Sequence, residues 1–385
     1  MKMSENKVKN VVILGASGSV GSSACNVVRA SQGKFRITAM SGHSRMEELA
    51  ALCKEFDCPC AIASDEKHLS TLKQLLPGTR CLGGIEGMAE AAAAPETDIL
   101  LCAVAGADGL LPVIAALKAG KQVAIASKEV LVLAGELVMG IAGKNQLLPV
   151  DSEHAGVWQC LEGRSPDEVK KIILTASGGP FRLWEKEKIL AASVEQALRH
   201  PTWNMGRKIT VDSASMMNKA LELIEASRLY KTPPEKLGVI IHPQSKIHAM
   251  VELTDGSLIA QVAIPDMRIP TAWAMSYPER GAFDFPPYDW RTGGLMEFFE
   301  PDTEKFPSFG FADAAMRAGG TLPGVMSAAN DIAVEKFLNN EIPFGGIWRI
   351  IDKVMNSHKV LHNSTLEEIL AVDRETRIKA RELKI

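Results

Sequence analysis

The sequence predicts an α/β protein in three parts: a doubly wound N-terminal domain, a central α+β domain and a C-terminal helical domain. Three observations carry this. Apolar strands alternate with helical stretches from Val11 to about Pro149, β-rich stretches flank an Asp255-Gly256 pair, and the pattern from FADAAMRAGG onward is helical. At 385 residues the chain also exceeds what one hydrophobic core usually organises. The expected boundaries are 1–150, 151–277, a connecting segment at 278–307, and 308–385.

In order, VVILG, SACNVVRA, FRITAMSG and MEELAALCKEF read as strand, helix, strand, helix, the rhythm of a parallel sheet. DILLCAV and QVAIAS add strands around the helical LLPVIAALKAG, and the sheet ends near LLPVDSE. Beyond Val150, IILTASGG reads as a strand entering a glycine turn, and ITVDSASMMNKALELIEASRLY as a strand tip followed by a long helix. VIIHPQSKIHAMVELTDGSLIAQVAI contains the hairpin signal Asp255-Gly256. From Tyr277 to Pro307 the chain is rich in Pro, Gly and aromatics without periodicity, which suits a connection.

A net charge of -3 shows no basic excess of the kind that binds nucleic acid. No stretch has the length of a membrane span, and MKMSENKVKN leads into VVILG without the apolar region of a secretory signal. Seven cysteines, an odd number, suit reduced thiols, so the expected location is cytoplasmic. Cys53, Cys58 and Cys60 are close in sequence, but their spacing is not that of a zinc ribbon, and packing competes with a metal role.

Gly15-Ala16-Ser17-Gly18-Ser19-Val20-Gly21 follows a strand and opens a helix. Its backbone N–H groups and the helix N-terminus can therefore receive a pyrophosphate in a Rossmann-like site, although a tight strand-to-helix turn would need the same glycines. At the end of the second strand stands Ser41-Gly42-His43-Ser44-Arg45, with no carboxylate for a ribose 2′-hydroxyl before Glu47. Arg45 and the hydroxyls suit a 2′-phosphate, which favours NADPH, while a solvated helix-start arginine is the other reading.

Asp151-Ser152-Glu153 sits beyond a strand end, where such pairs are more often solvated loop charges than ligands. In the helix after Asp212, Asn218 and Glu222 stand four apart and Lys219 and Glu222 three apart on one face. That is either a surface ion pair or a third carboxylate completing an oxygen-only site for Mg2+ or Mn2+. Ser213, Asn218 and Lys219 with Ser177-Gly178-Gly179 offer hydroxyl, amide and ammonium donors for a phosphate, although Ser-Gly-Gly alone is usually an ordinary turn. His200 to Arg207, with Trp203 and Gly206, has the composition of a lid or of a packed loop.

At these segments the sequence resembles the 1-deoxy-D-xylulose 5-phosphate reductoisomerase family, through LGASGSVG, ASKE, LPVDSEH, SGGPFR, HPTWNMGRK, VDSASMMNK with Glu222, and HPQS. The match runs from about residue 10 into the C-terminal region. It implies an NADPH- and divalent-metal-dependent conversion of 1-deoxy-D-xylulose 5-phosphate into 2-C-methyl-D-erythritol 4-phosphate in isoprenoid precursor biosynthesis, by a homodimer. By resemblance, Ser17, Gly18, Ser19 and Val20 contact NADPH together with Gly42, His43 and Ser44, joined by Ser127, Glu129 and Gly206. Metal falls to Asp151, Glu153 and Glu222, and catalysis to these with Lys128 and His200. The substrate contacts are Lys128, Ser152, Glu153, Ser177 and His200, then Ser213, Asn218, Lys219 and Glu222. Ser127 stands where the family often has Asn, and His43-Ser44 replaces a commoner basic residue and Asn. The competing reading is a plain NADPH oxidoreductase acting on another phosphorylated aldehyde or ketone; metal dependence separates the two.

Overall fold

The computed structural model describes residues 8–200 and 206–385. Its first strands are β1 (Lys9–Leu14), β2 (Phe35–Gly42), β3 (Cys60–Ala63), β4 (Arg80–Gly83), β5 (Ile99–Cys102), β6 (Gln122–Ile125) and β7 (Leu147–Pro149). Between them run α1 (Ser19–Ala30), α2 (Met46–Glu55), α3 (Leu69–Leu75), α4 (Gly84–Ala93), α5 (Leu110–Lys118) and α6 (Lys128–Ile141). There follow α7 (Ser152–Leu161), β8 (Val169–Ala176), α8 (Lys186–Leu190), α9 (Val194–Ala197), α10 (Arg207–Ala214) and α11 (Met217–Leu229). The rest comprises β9 (Leu237–Ile241), β10 (Ile247–Leu253), β11 (Leu258–Val262), α12 (Arg268–Ser276), α13 (Ser308–Ala318), α14 (Leu322–Leu338), α15 (Phe344–Asn356) and α16 (Leu366–Glu382).

The chain forms two compact units. The first contains the segment up to Val130, then Val138–Ala155 and Asp266–Pro287. Its seven strands make one parallel sheet in the order β4-β3-β2-β1-β5-β6-β7. Strand β5 is wholly buried, and so are the last four residues of β1, as expected of central strands covered by helices on both faces. The order reverses between β1 and β5, so the glycine loop after β1 lies at the crevice where such sheets bind nucleotides. The four-residue strands β3 and β4 were not legible from periodicity, being too short to show one.

Cys53 and Cys58 have a structural explanation in this unit. The Cys58 N–H donates to the Cys53 carbonyl at 2.9 Å and the Asp57 N–H reaches the Lys54 carbonyl, with Asp57 left-handed at φ 48°. This is a Schellman end to α2, in which the two cysteines occupy the positions whose side chains normally touch. Both are buried, as is Cys60, and all seven thiols are free.

The second unit contains Leu131–Leu137, Gly156–Pro265 and the chain from Tyr288 onward. Its sheet runs β11-β10-β8-β9; β8 pairs parallel with β9, and β10 pairs antiparallel with β8 and β11. The β10–β11 hairpin turns at Asp255-Gly256, with Gly256 at φ +88° and Asp255 Oδ1 accepting from the Ser257 N–H at 2.8 Å. Helices α13 to α16 pack into the same apolar core as β8, β10 and α11, and α14 is buried on most of its surface.

One expectation is corrected here. Ile209-Thr210-Val211, read as a strand tip, lies in α10; packing of Val211, which is fully buried, overrides the β-branched preference for strands. Helix α12 packs in the first unit, where it buries Trp273 and Met275 and lies on α1. Among the described residues no helix is long and apolar enough to cross a membrane.

Candidate active site

The glycine loop is built by close approach rather than by flexibility. A Cβ on Gly21 would stand 2.2 Å from the Gly15 carbonyl oxygen, so the third glycine lets α1 start tight against the strand end. The Gly15 N–H donates to Ser41 Oγ at 2.9 Å and the Ala16 N–H to the Ser41 carbonyl at 2.8 Å, tying the loop to the end of β2. Ser17, Gly18 and Val20 are half-buried, and Ser19 is exposed. At the end of β2, Gly42 is buried, whereas His43 and Ser44 are exposed, with His43 Nδ1 3.2 Å from Ser64 Oγ. Arg45 precedes α2, pairs with Glu48 at 3.0 Å and donates to the Ser17 carbonyl, which brings an exposed guanidinium to the loop. Ser127 is buried and its hydroxyl donates to the Val104 carbonyl, while Glu129 is half-buried in the first turn of α6.

Lys128 and Asp151 meet in the same unit. Lys128 Nζ lies 2.6 Å from Asp151 Oδ2, with the two side chains only 7% and 13% exposed. Burial alone would push the Asp151 carboxyl up, but the Lys128 ammonium and His154 outweigh it and hold the group well below the usual carboxylate range. Asp151 Oδ1 accepts from the Glu153 N–H at 3.3 Å, and Ser152 Oγ donates to Glu153 Oε2 at 2.6 Å. Lys128 starts α6 and the other three residues lie at or next to the start of α7, so strand ends β6 and β7 deliver them to one place.

In the second unit, α11 presents Asn218, Lys219 and Glu222 together. Asn218 Nδ2 donates to Glu222 Oε1 at 2.5 Å and Lys219 Nζ to Oε2; Lys219 is 3% and Glu222 1% exposed, which removes the surface-ion-pair reading. His200 Nε2 lies 3.0 Å from Ser213 Oγ and 3.2 Å from Ser177 Oγ. Burial lowers the His200 pKa, favouring the neutral ring. Gly179 has φ +66°, and a Cβ there would stand 2.6 Å from the Ser213 carbonyl, so only glycine lets the Ser177 turn close on α10. Gly206 precedes α10 and is exposed. Trp203 and the rest of 201–205, the centre of the expected lid, lie outside the described residues.

Two groups received no role from the sequence. His154 is fully buried beside Asp151, and only its place in LPVDSEH pointed to it. Asp212, one residue before Ser213, is 2% exposed; burial raises its pKa although Lys208 lies beside it, and its neutral partner Asn330 is 118 residues away in sequence.

Residues 11–135 match the family profile described as 1-deoxy-D-xylulose 5-phosphate reductoisomerase, and 147–230 and 262–379 match two described as C-terminal domains of that enzyme. A curated 1-deoxy-D-xylulose 5-phosphate reductoisomerase of Trichlorobacter lovleyi is 44% identical over 380 residues, 98% of this chain and 97% of the relative. The solved reductoisomerase of Zymomonas mobilis in complex with NADPH is 38% identical with a TM-score of 0.90, covering 97% of this chain and 98% of that one. A reductoisomerase structure holding NADPH, fosmidomycin and magnesium is 37% identical with a TM-score of 0.92, covering 97% of each chain. With profile matches over most of its length and relatives this similar end to end, the chain belongs to the 1-deoxy-D-xylulose 5-phosphate reductoisomerase family.

Proposed function

We infer that this protein catalyses the NADPH-dependent, divalent-cation-dependent conversion of 1-deoxy-D-xylulose 5-phosphate into 2-C-methyl-D-erythritol 4-phosphate. The observation that carries the inference is end-to-end membership of a family whose solved members hold NADPH and magnesium. The glycine loop at the sheet's switch point and the exposed Arg45, with no competing carboxylate before Glu47, support NADPH over NAD.

Asp151, Glu153 and Glu222 hold the cation. Their donors are oxygen only, with no sulfur or imidazole in the set, which fits Mg2+ and admits Mn2+. When bound, the cation polarises the substrate carbonyl as a Lewis acid, and NADPH supplies the hydride that reduces the rearranged aldehyde. The protein's own groups orient the substrate. Lys128 neutralises Asp151 and supports the oxygens of the reacting carbons, and Ser152 stays bonded to Glu153 to aim it. Ser177, Ser213, Asn218 and Lys219 bind the phosphate with His200, supplying binding energy remote from the reacting bonds.

The functional division is cofactor binding in residues 1–150, chemistry and dimer contact in 151–277, and support from 308–385. The protein works as a homodimer through β11. That strand is an edge of the second unit's sheet, with Leu258 53% and Val262 41% exposed, whereas the other edge strand, β9, is bridged at Ile241 by Phe299. An apolar edge strand of this kind invites pairing with a second copy. Replacing Leu258 and Val262 together by lysine should shift the mass measured by sedimentation towards the monomer; an unchanged dimer mass would exclude this edge. Seven free thiols support a reducing compartment, the cytoplasm.

The test follows NADPH absorbance with 1-deoxy-D-xylulose 5-phosphate after EDTA treatment, before and after Mg2+ is restored, and identifies the product by NMR. Oxidation that returns with Mg2+ and yields the branched phosphate is the expected result. NADPH consumption without a branched product would leave a plain oxidoreductase, and no consumption with either Mg2+ or Mn2+ would refute the assignment.

A further inference from the structure

Two strings of polar bonds run from the C-terminal helices to either side of Ser213. In the first, Asn330 of α14 is fully buried and donates through Nδ2 to Asp212 Oδ1 at 2.8 Å. Lys208 Nζ bridges Asp212 Oδ2 at 3.1 Å and Asp331 Oδ1 at 2.9 Å, and Arg377 of α16 holds Asp331 at 2.8 Å and Asp373 at 2.8 Å. In the second, Trp348 Nε1 of α15 donates to Ser308 Oγ at 3.0 Å, and the Ser308 hydroxyl donates to the Ser215 carbonyl at 2.7 Å. Ser308 is fully buried and Trp348 5% exposed.

The strings meet the chain at Asp212 and Ser215, one residue before Ser213 and two after it. Immediately beyond, Met216 breaks α10 from α11 in a left-handed conformation at φ 62°, although it is buried and not glycine. Such a conformation persists only where the surroundings over-determine it. An apolar contact would hold α10 against α14 at less desolvation cost than a buried aspartate, but it is non-directional, whereas a hydrogen-bonded carboxylate sets rotation and register. Ser213 Oγ must meet His200 Nε2 at 3.0 Å, and α10 has fewer than three turns in which to set that aim.

We propose that Lys208, Asp212, Asn330 and Ser308 are positioning residues for the phosphate end of the substrate, fixing the α10–α11 elbow so that Ser213 stays aimed with His200 and Ser177. The proposal rests on the phosphate-binding role given to Ser213 above. In this arrangement the C-terminal helices act on substrate affinity without touching the substrate, and do so at the phosphate end alone.

The experiment is a double-mutant cycle on the full-length enzyme with Mg2+ and NADPH, using Ser213→Ala, Asn330→Ala and their combination. Each variant is first checked for folding by circular dichroism. Losing a buried hydrogen bond to a charged group should raise KM for 1-deoxy-D-xylulose 5-phosphate about tenfold in Asn330→Ala, with kcat within about threefold and KM for NADPH unchanged. Because Asn330 acts through Ser213, the double variant should be little worse than Ser213→Ala alone. Lys208→Arg should keep most of the affinity that Lys208→Ala loses. Additive penalties, or a loss confined to kcat with KM unchanged, would overturn the proposal while leaving the role of Ser213 intact. If Ser213→Ala itself leaves KM unchanged, the phosphate-binding reading fails and the proposal falls with it. Should Asn330→Ala not fold, Ser308→Ala, which deletes a single hydroxyl, is judged by the same criteria.

Discussion

Replacing Glu222 by glutamine should lower kcat about a thousandfold, equivalent to about 4 kcal/mol of transition-state stabilisation, with much smaller changes in KM for NADPH. The substitution preserves shape and leaves an oxygen able to accept from Asn218 or Lys219, so the fold should be retained. What it removes is charge. A buried carboxylate beside an amide and an ammonium offers negative charge to a cation, whereas a neutral amide beside Lys219 leaves net positive charge at the proposed cation site. Raising Mg2+ should therefore restore only part of the loss. Near-normal turnover at saturating Mg2+ would remove Glu222 from the ligand set.

Replacing Lys128 by alanine should cost about 3–5 kcal/mol of stability at neutral pH in metal-free protein and reduce turnover about a hundredfold or more with metal present. Both effects have the same origin, a 2.6 Å pair with almost no solvent access. In the wild type the folded-state pKa of Asp151 is depressed, so the pair's contribution is fully present above the unfolded aspartate pKa of about 3.9 and is lost as pH falls through the lower folded value. Without the ammonium, burial, the strongest single influence on Asp151, loses its main counterweight although His154 and the Glu153 hydrogen bond remain, so the pKa rises from its depressed value and the ionised form is less favoured. The gap in thermal stability between variant and wild type should be widest near pH 7 and narrow as pH falls towards about 4. Melting curves across that range check it; a gap that widens on acidification would show that Asp151 does not depend on Lys128 for its charge.

Much of the candidate site was legible because its residues are grouped locally. G-x-x-G-x-x-G after a strand, Asp-Ser-Glu at a strand end, and Asn218, Lys219 and Glu222 at helical spacing each need only a few neighbouring residues to be meaningful. Whether Lys219 and Glu222 formed a solvated pair or a buried one could not be read that way, since α11 owes its burial to helices that follow about 80 or more residues later. The α10 segment misled for a related reason: Ile209-Thr210-Val211 favours a strand when read alone and becomes helical through packing. Cys53 and Cys58, open to a metal reading from spacing alone, are accounted for by a left-handed residue at Asp57 that no composition rule singled out.

The sequence by itself determined the fold class, the glycine loop after the first strand and the local groupings Asp151-Ser152-Glu153 and Asn218-Lys219-Glu222, because backbone periodicity, glycine placement and helical spacing are properties of short segments. Only the tertiary structure decided which of those groups are buried, that Lys128 holds Asp151 ionised, and that Asp212 is gripped by Asn330 from the other end of the chain. The physical reason is that desolvation and buried hydrogen bonding depend on what surrounds a group in space, and those surroundings come from segments far apart in the chain.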